Sequence, residues 1–157
     1  MPRALAMRAV YRLIRLYWRL MRPLTLGVRA IVTNERGEVL LLRHTYKSGL
    51  YLPGGKVKRG ESLREAILRE LREEVGVHDV DEDHIVLVGA YSSFSSFKSD
   101  HILVVSARTN AAARPASRLE VDAVIFADPS NLPEETSPAT RRRVEQYLRN
   151  EVTIGGW

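Results

Sequence analysis

Residues 55–77 read GKVKRGESLREAILRELREEVGV, and the order of glycine, base and acid in this stretch decides how the rest of the chain is read. The turn Leu52-Pro53-Gly54-Gly55 and a basic loop, Lys56 to Gly60, lead into a helix opening near Ser62. Ser62 followed three residues later by Glu65 predicts a capping box, in which each side chain accepts a hydrogen bond from the other residue's backbone N–H. At about 100° per residue, Leu63, Ile67 and Leu71 form one apolar stripe, the face expected to bury against a sheet. Glu70 and Glu74 fall beside that stripe and Glu73 one step further round, whereas a solvated charge face would point toward Glu65 and Arg72. Carboxylates at the rim of a buried face repel one another and lose hydration, which is unfavourable unless a cation stands among them. A cluster of hard oxygens without Cys or His favours Mg²⁺ or Mn²⁺ over zinc.

The same residues carry a family pattern. Gly55, five residues, Glu61, seven residues, Arg69-Glu70-Leu71, one residue, Glu73-Glu74, one residue and Gly76-Val77 reproduce G-x5-E-x7-R-E-U-x-E-E-x-G-U, with U aliphatic, at every specified position. The stretch therefore resembles the Nudix box, and with each residue type at roughly one position in fifteen a chance match is negligible. The resemblance implies a Nudix-like α/β/α sandwich, a mixed sheet between helices, for roughly residues 25–150. It also implies hydrolysis of a pyrophosphate linkage in a nucleoside diphosphate joined to another group, or in a nucleoside triphosphate.

Around the box, composition sets bounds. The 157 residues suit one α/β domain with a sizeable core and one appended element, expected as a basic amphipathic helix over residues 1–24 before a hydrolase domain over 25–157. The chain has no cysteine, which excludes a disulfide scaffold, a thiolate zinc site and a catalytic thiol, and is compatible with a reducing cytoplasm. Of the net charge of +5, seven arginines without any acid lie in residues 1–29, which leaves −2 for residues 30–157. The basicity belongs to the N-terminus, which argues against a nucleic-acid-binding surface over the whole domain.

In chain order, Leu24 to Thr33 and Glu38 to Arg43 read as strands joined by the tight turn Asn34-Glu35-Arg36-Gly37, a hairpin. Further strands are expected over His84 to Tyr91, Asp100 to Ala107 and Val121 to Ala127, with a serine-rich loop between the first two. Ser137-Pro138 opens a closing helix with Val144, Tyr147 and Leu148 on its buried side, and the tail from Glu151 to Trp157 specifies little.

By resemblance, Glu73 and Glu74, with Glu70 and the carbonyl of Gly54, hold the metal ion. Either Glu70 or a carboxylate outside the box orients or deprotonates the attacking water. Glu120, six residues before Phe126 at the start of a strand, is the outside candidate, its alternative being an ordinary strand-end charge. Arg69 stands one helical turn before Glu73 and can fix its direction, while Glu61 is expected to hold the loop through backbone amides. Arg43 and Lys56 are available to substrate phosphates, with Lys58 and Arg59 read as solvated loop charge. Tyr91, Phe94 and Phe97 flank the serine-rich loop, Phe94 being the candidate for stacking on a base and Tyr91 equally a core residue. His44, His78, His84 and His101 have no spacing that suggests a metal site.

Two other functional classes stay open at this point: a nucleotide-binding module that does not cleave, and an adaptor recruited to a membrane or partner. No box glutamate is lost, which is the mark the first would carry, and the residues that distinguish substrate subfamilies are missing. Residues 3–22 fall outside the resemblance. On a helical wheel Arg8, Arg12, Arg15, Arg19 and Arg22 lie within about 80° and nearly everything else is apolar or aromatic, a surface too wide for one contact on the parent domain. Arginines every three or four residues argue against a membrane span, and the absence of serine from residues 1–24 argues against a transit peptide. The remaining expectations are an interfacial helix on anionic lipid at the inner membrane surface, a contact between protomers in a homo-oligomer, or packing across the parent sheet.

Overall fold

The computed structural model describes residues 24–94 and 99–157, together with Tyr17 and Leu20. Its elements are β1 (Leu24–Thr33), β2 (Val39–His44), α1 (Leu63–Val75), a 3-10 turn (Glu82–His84), β3 (Val86–Ser93), β4 (Ser99–Arg108), β5 (Val121–Ala127), α2 (Pro138–Leu148) and β6 (Thr153–Gly156). The strands form one mixed sheet in the order β5-β2-β1-β4-β3-β6, with β4 parallel to β1, β6 parallel to β3 and the other neighbours antiparallel.

The period-two alternation of β1 and β2 sorts their side chains between two cores. Val28, Ala30, Val32, Leu40 and Leu42 bury against Ile67, Leu71 and Val75 of α1. Ile31, Val39 and Leu41 bury on the other face with Tyr91, Val104 and Val144 of α2. Each such aliphatic side chain contributes roughly 1.5–3 kcal/mol, so the two layers pin α1 and α2 to opposite faces and complete the expected α/β/α sandwich.

Helix α1 starts on the predicted capping box: Ser62 Oγ accepts from the Glu65 amide at 3.2 Å and Glu65 Oε2 accepts from the Ser62 amide at 2.8 Å. It ends on Gly76 in the left-handed region. Leu63, expected in the buried stripe, is 37% exposed, because the buried residues of α1 begin one turn later, at Ala66. Leu148 at the last position of α2 is likewise exposed, whereas Val144 is buried and Tyr147 partly so. The 3-10 turn takes the residues expected to open β3, which begins at Val86.

The hairpin of β1 and β2 closes at its turn and then opens. Thr33 pairs with Val39, but further along the two strands part, and residues 51–57 enter the gap. Leu42 and Tyr51 exchange two backbone hydrogen bonds of 2.9 Å, Ala30 N donates to the Pro53 carbonyl at 3.0 Å and Val28 N to that of Gly55 at 2.9 Å. The glycine turn is thus built into the middle of the sheet. The tail is more ordered than its composition suggests: β6 lies along β3, and Trp157 N donates to the Ser92 carbonyl at 3.0 Å.

The helix expected over residues 3–22 lies outside the described residues except for Tyr17 and Leu20, which are helical and 55% and 73% exposed. Phe97 also lies outside them. Among the described residues no helix is long and apolar enough to cross a membrane.

Candidate active site

The site forms where the glycine turn meets the side of α1. Gly54 has φ of 133°, and a Cβ there would come within 2.2 Å of the Val28 carbonyl oxygen, so only glycine allows this approach to β1. A Cβ on Gly55 would meet Glu70 Oε1 at 2.2 Å, and its absence lets that carboxylate lie against the turn. Both backbone groups of Gly54 are engaged: its N–H donates to Glu74 Oε2 at 2.8 Å, and its carbonyl accepts from the Arg29 guanidinium. One residue thereby ties the end of α1 to β1.

Arg69 is the hub of the acidic side. Its Nε donates to Glu61 Oε1 at 2.7 Å and its Nη2 to Glu61 Oε2 at 3.0 Å, a bidentate pair. Nη1 reaches Glu70 Oε1 at 2.7 Å and Glu73 Oε2 at 3.2 Å, and Nη2 also donates to the Lys56 carbonyl at 3.0 Å. The pairing of Arg69 with Glu73 is present as the spacing implied, but Glu61 is the stronger partner. Glu61 also accepts from the Lys58 amide at 2.9 Å, the loop-holding contact expected of it. The Arg69 hydrogen bonds, followed by that amide, hold its pKa down at about 2.

Glu74 is pushed the other way. Only 8% of it is exposed, and burial raises its pKa to about 7; the Gly54 N–H and the Arg29 charge oppose the rise, while the charges of Glu70 and Glu120 add to it. Glu120 therefore stands close enough for Glu74 to feel its charge, although it is exposed and belongs to the loop before β5, anchored where its carbonyl accepts from the Thr45 amide at 3.0 Å.

These donors fit a hard divalent ion in chemistry. Glu70, Glu73, Glu74 and the Gly54 carbonyl are all oxygens, and a buried carboxylate beside two others of like charge is a site that a cation relieves. Among the described residues no three acidic or imidazole groups are gathered in ready metal-binding geometry. Arg69 neutralises Glu70 and Glu73 in their present positions.

The sequence model of the NUDIX domain matches residues 23–148. The chain belongs to the Nudix family. It is 30% identical to a putative 8-oxo-dGTP diphosphatase of Bacillus subtilis (strain 168) over 123 residues, 78% of this chain and 79% of that protein. It is 38% identical to the 8-oxo-dGTP diphosphatase of Escherichia coli (strain K12) over 61 residues, 36% of this chain and 46% of that one. The matches to the 8-oxo-dGDP phosphatase NUDT18 of Homo sapiens and to that E. coli protein span only 20% and 46% of those proteins' lengths. Among solved structures, the MutT protein of Methanosarcina mazei Go1 superposes with a TM-score of 0.69 at 26% identity, over 82% of this chain and 95% of that one.

Within this Nudix site, the remaining sequence candidates divide. Lys56 is exposed beside the glycine turn, its backbone paired with Gly27. Phe94 is 71% exposed just past β3, its ring edge-on to His101 at 6.2 Å, and His101 is in register with Leu26 of β1. Arg43 is engaged by Glu135, its Nη2 donating to Glu135 Oε1 at 2.5 Å. Tyr91 is core, 2% exposed, and its hydroxyl donates to Gln146 at 3.0 Å. Sequence reasoning missed Arg29. The available signal was a charge set between Val28 and Ala30 inside an otherwise apolar strand.

Proposed function

We propose that the protein hydrolyses a pyrophosphate linkage in a nucleoside triphosphate or a nucleoside diphosphate derivative, with Mg²⁺ or Mn²⁺. The observation that carries this reading is Glu74, buried beside Glu70 and Glu120 above the Gly54 turn: bare phosphates would be repelled there, and a hard divalent ion would accept them. When bound, the ion offsets the charge of the phosphates and of the displacement at phosphorus.

The chain's own residues supply the rest. Glu73, Glu74, Glu70 and the Gly54 carbonyl hold the ion, and Arg69 keeps Glu70 and Glu73 beside the turn when it is absent. Glu120 takes the proton of the attacking water, or Glu70 does, each being a carboxylate whose charge reaches Glu74. Arg29 and Lys56 are positive groups flanking Gly54, and Phe94 offers an open ring face. An intact box favours an enzyme over a binding module, and the names of the relatives, 8-oxo-dGTP diphosphatase and RNA pyrophosphohydrolase, favour nucleotide substrates. The test is a panel of nucleotides with Mg²⁺ or Mn²⁺, scored by phosphate release after a phosphatase step. Calorimetric binding of a nucleotide that is never hydrolysed would turn the reading toward the binding module.

The cytoplasmic protein is held at an anionic membrane surface through residues 3–22. Tyr17 lies opposite the arginines on the wheel and Leu20 on its apolar part, and they are 55% and 73% exposed. Phospholipid supplies both the negative headgroups and the apolar layer such a segment needs. Flotation with anionic vesicles is expected for the full chain, weakened by salt and lost without residues 1–22. A full chain that ignores the vesicles and becomes monomeric on that deletion favours the protomer contact instead.

A further inference from the structure

The sheet is not covered evenly on the face that carries α1. That helix lies over β1 and β5, and the 3-10 turn lies over β4. One row of partners crosses the face through Val28, Leu103, Ala90 and Ile154. Along it burial falls from complete at Val28, through partial at Leu103 and Ala90, to 88% exposure at Ile154. The neighbouring rows repeat the pattern, because side chains two residues apart on a strand share a face. Leu24 and Leu26 are 74% and 40% exposed, and Leu87, in register with the buried Val105, is 47% exposed. No lysine, arginine or acid stands in these rows from β1 to β6. Ser92 Oγ and His101 Nδ1, which do, bond to each other at 3.1 Å and so satisfy part of their polarity within the face. An aliphatic surface of this extent on a folded domain marks a place of contact with a partner or a membrane.

The rim selects the partner. The Leu26 carbonyl accepts from the Val57 amide at 2.9 Å, and Lys58 and Arg59 follow, both exposed and neither in an ion pair among the described residues. Residues 3–22, with their stripe of arginines, lead directly into Leu24 at the same end of the face. Toward the opposite edge the acids Glu82 and Glu151 are already paired, with Arg64 and Arg149. Unpaired cations beside an acid-free aliphatic face are complementary to anionic phospholipid, whose headgroups meet the cations while its acyl layer meets the side chains. A second copy meeting this face through its own brings the same basic rim and no anion to answer it.

We propose that this uncovered half of the sheet docks on an anionic phospholipid surface, with Leu24, Leu26, Leu87 and Ile154 against the acyl layer and Lys58 and Arg59 among the headgroups. The choice of partner rests on the membrane reading of residues 3–22, but the surface named is one of the folded domain itself. Arg29, Lys47 and Arg142 line a cavity of about 540 Å³ on the other face, beside α2, which this docking leaves open.

The chain has no cysteine, so one introduced thiol can carry a solvatochromic dye. Ile154→Cys and, in the turn between β1 and β2, Arg36→Cys are each labelled in the full chain and mixed with phosphatidylserine-containing vesicles. The label at 154 is expected to shift to the blue and the label at 36 to stay unchanged. Lys58→Gln with Arg59→Gln is expected to weaken vesicle partitioning about tenfold or more, whereas Arg36→Gln with Arg142→Gln, the same loss of charge away from the rim, changes it by less than about threefold. Leu87→Ser with Ile154→Ser is expected to weaken it about tenfold or more at unchanged circular dichroism. Equal partitioning of the parent and either face or rim variant overturns the proposal. So does a blue shift at 154 that needs no vesicles and grows with protein concentration, which gives the face to a second copy. A protein that binds the vesicles with an unshifted label at 154 is held by residues 3–22 alone, which overturns this proposal and leaves that reading standing. Binding and a shifted label that both survive deletion of residues 1–22 uphold the face and overturn the reading of the segment. A full chain that ignores the vesicles overturns both.

Discussion

Around Arg69 one guanidinium answers three carboxylates, Glu61, Glu70 and Glu73, with Glu74 buried alongside; across Arg29, three cations share a cavity with no acid among the described residues that line it. Both regions border the same glycine turn, so the difference is not one of position. The acidic side is short of cations, while the basic side gathers them. A polyanionic substrate can span the two only if the acids are first neutralised, which is why the division of charge argues for an ion-dependent reaction.

The sharpest way to break this division is to remove an acid without changing its shape. Glu73→Gln and Glu74→Gln are each expected to lower turnover by about two orders of magnitude or more, since a divalent ion loses a charged ligand beside the phosphates. Phosphate release measures the rate, and unchanged circular dichroism separates it from unfolding. Glu120→Gln is expected to cost less, roughly tenfold or more in kcat with a smaller change in KM and the acid limb of the pH profile displaced. A rate within about threefold of the parent would hand the proton to Glu70.

A pH dependence of stability separates the two kinds of carboxylate within the acidic side. Glu74 has its folded pKa raised from 4.5 to about 7, so the ion-free folded state binds more protons than the unfolded chain between those values. Stability should therefore fall as pH rises from 4.5 to 7, by an amount of the order of 3 kcal/mol at about 1.4 kcal/mol per unit, and Glu74→Gln should flatten that slope. Glu61 has its pKa lowered from 4.5 to about 2, so its contribution is present above 4.5 and is lost as pH falls through about 2. Urea midpoints measured in chelator across both windows read the two signs separately.

How legible each region was follows from how far apart its residues lie in the chain. The acidic side sits within residues 54–74, where helical spacing and capping rules act, so the capping box, the Arg69–Glu73 pair and the loop contact of Glu61 could be read directly. The dominant Arg69–Glu61 pair could not, because it depends on how the basic loop folds back. The basic side draws on β1, the loop after β2, α2 and the tail, which only the sheet brings together. For the same reason the pairing of Arg43 with Glu135, 92 residues away, could not be read from the sequence. The positions of β1 to β5 along the chain followed from their apolar stretches, but the order of the strands in the sheet and the opening of β1 from β2 did not, the opening being created by the Gly54 turn and not by either strand.

The most direct test of the division of charge is Mn²⁺ binding without nucleotide, followed by electron paramagnetic resonance of the free ion. The parent protein is expected to take up Mn²⁺, Glu74→Gln to weaken that uptake at least about tenfold, and the Lys47→Ala, Arg142→Ala double variant to leave it unchanged. Equal Mn²⁺ affinity in the parent and in Glu74→Gln would contradict the account, because the ion would then not be held by the carboxylates beside Gly54.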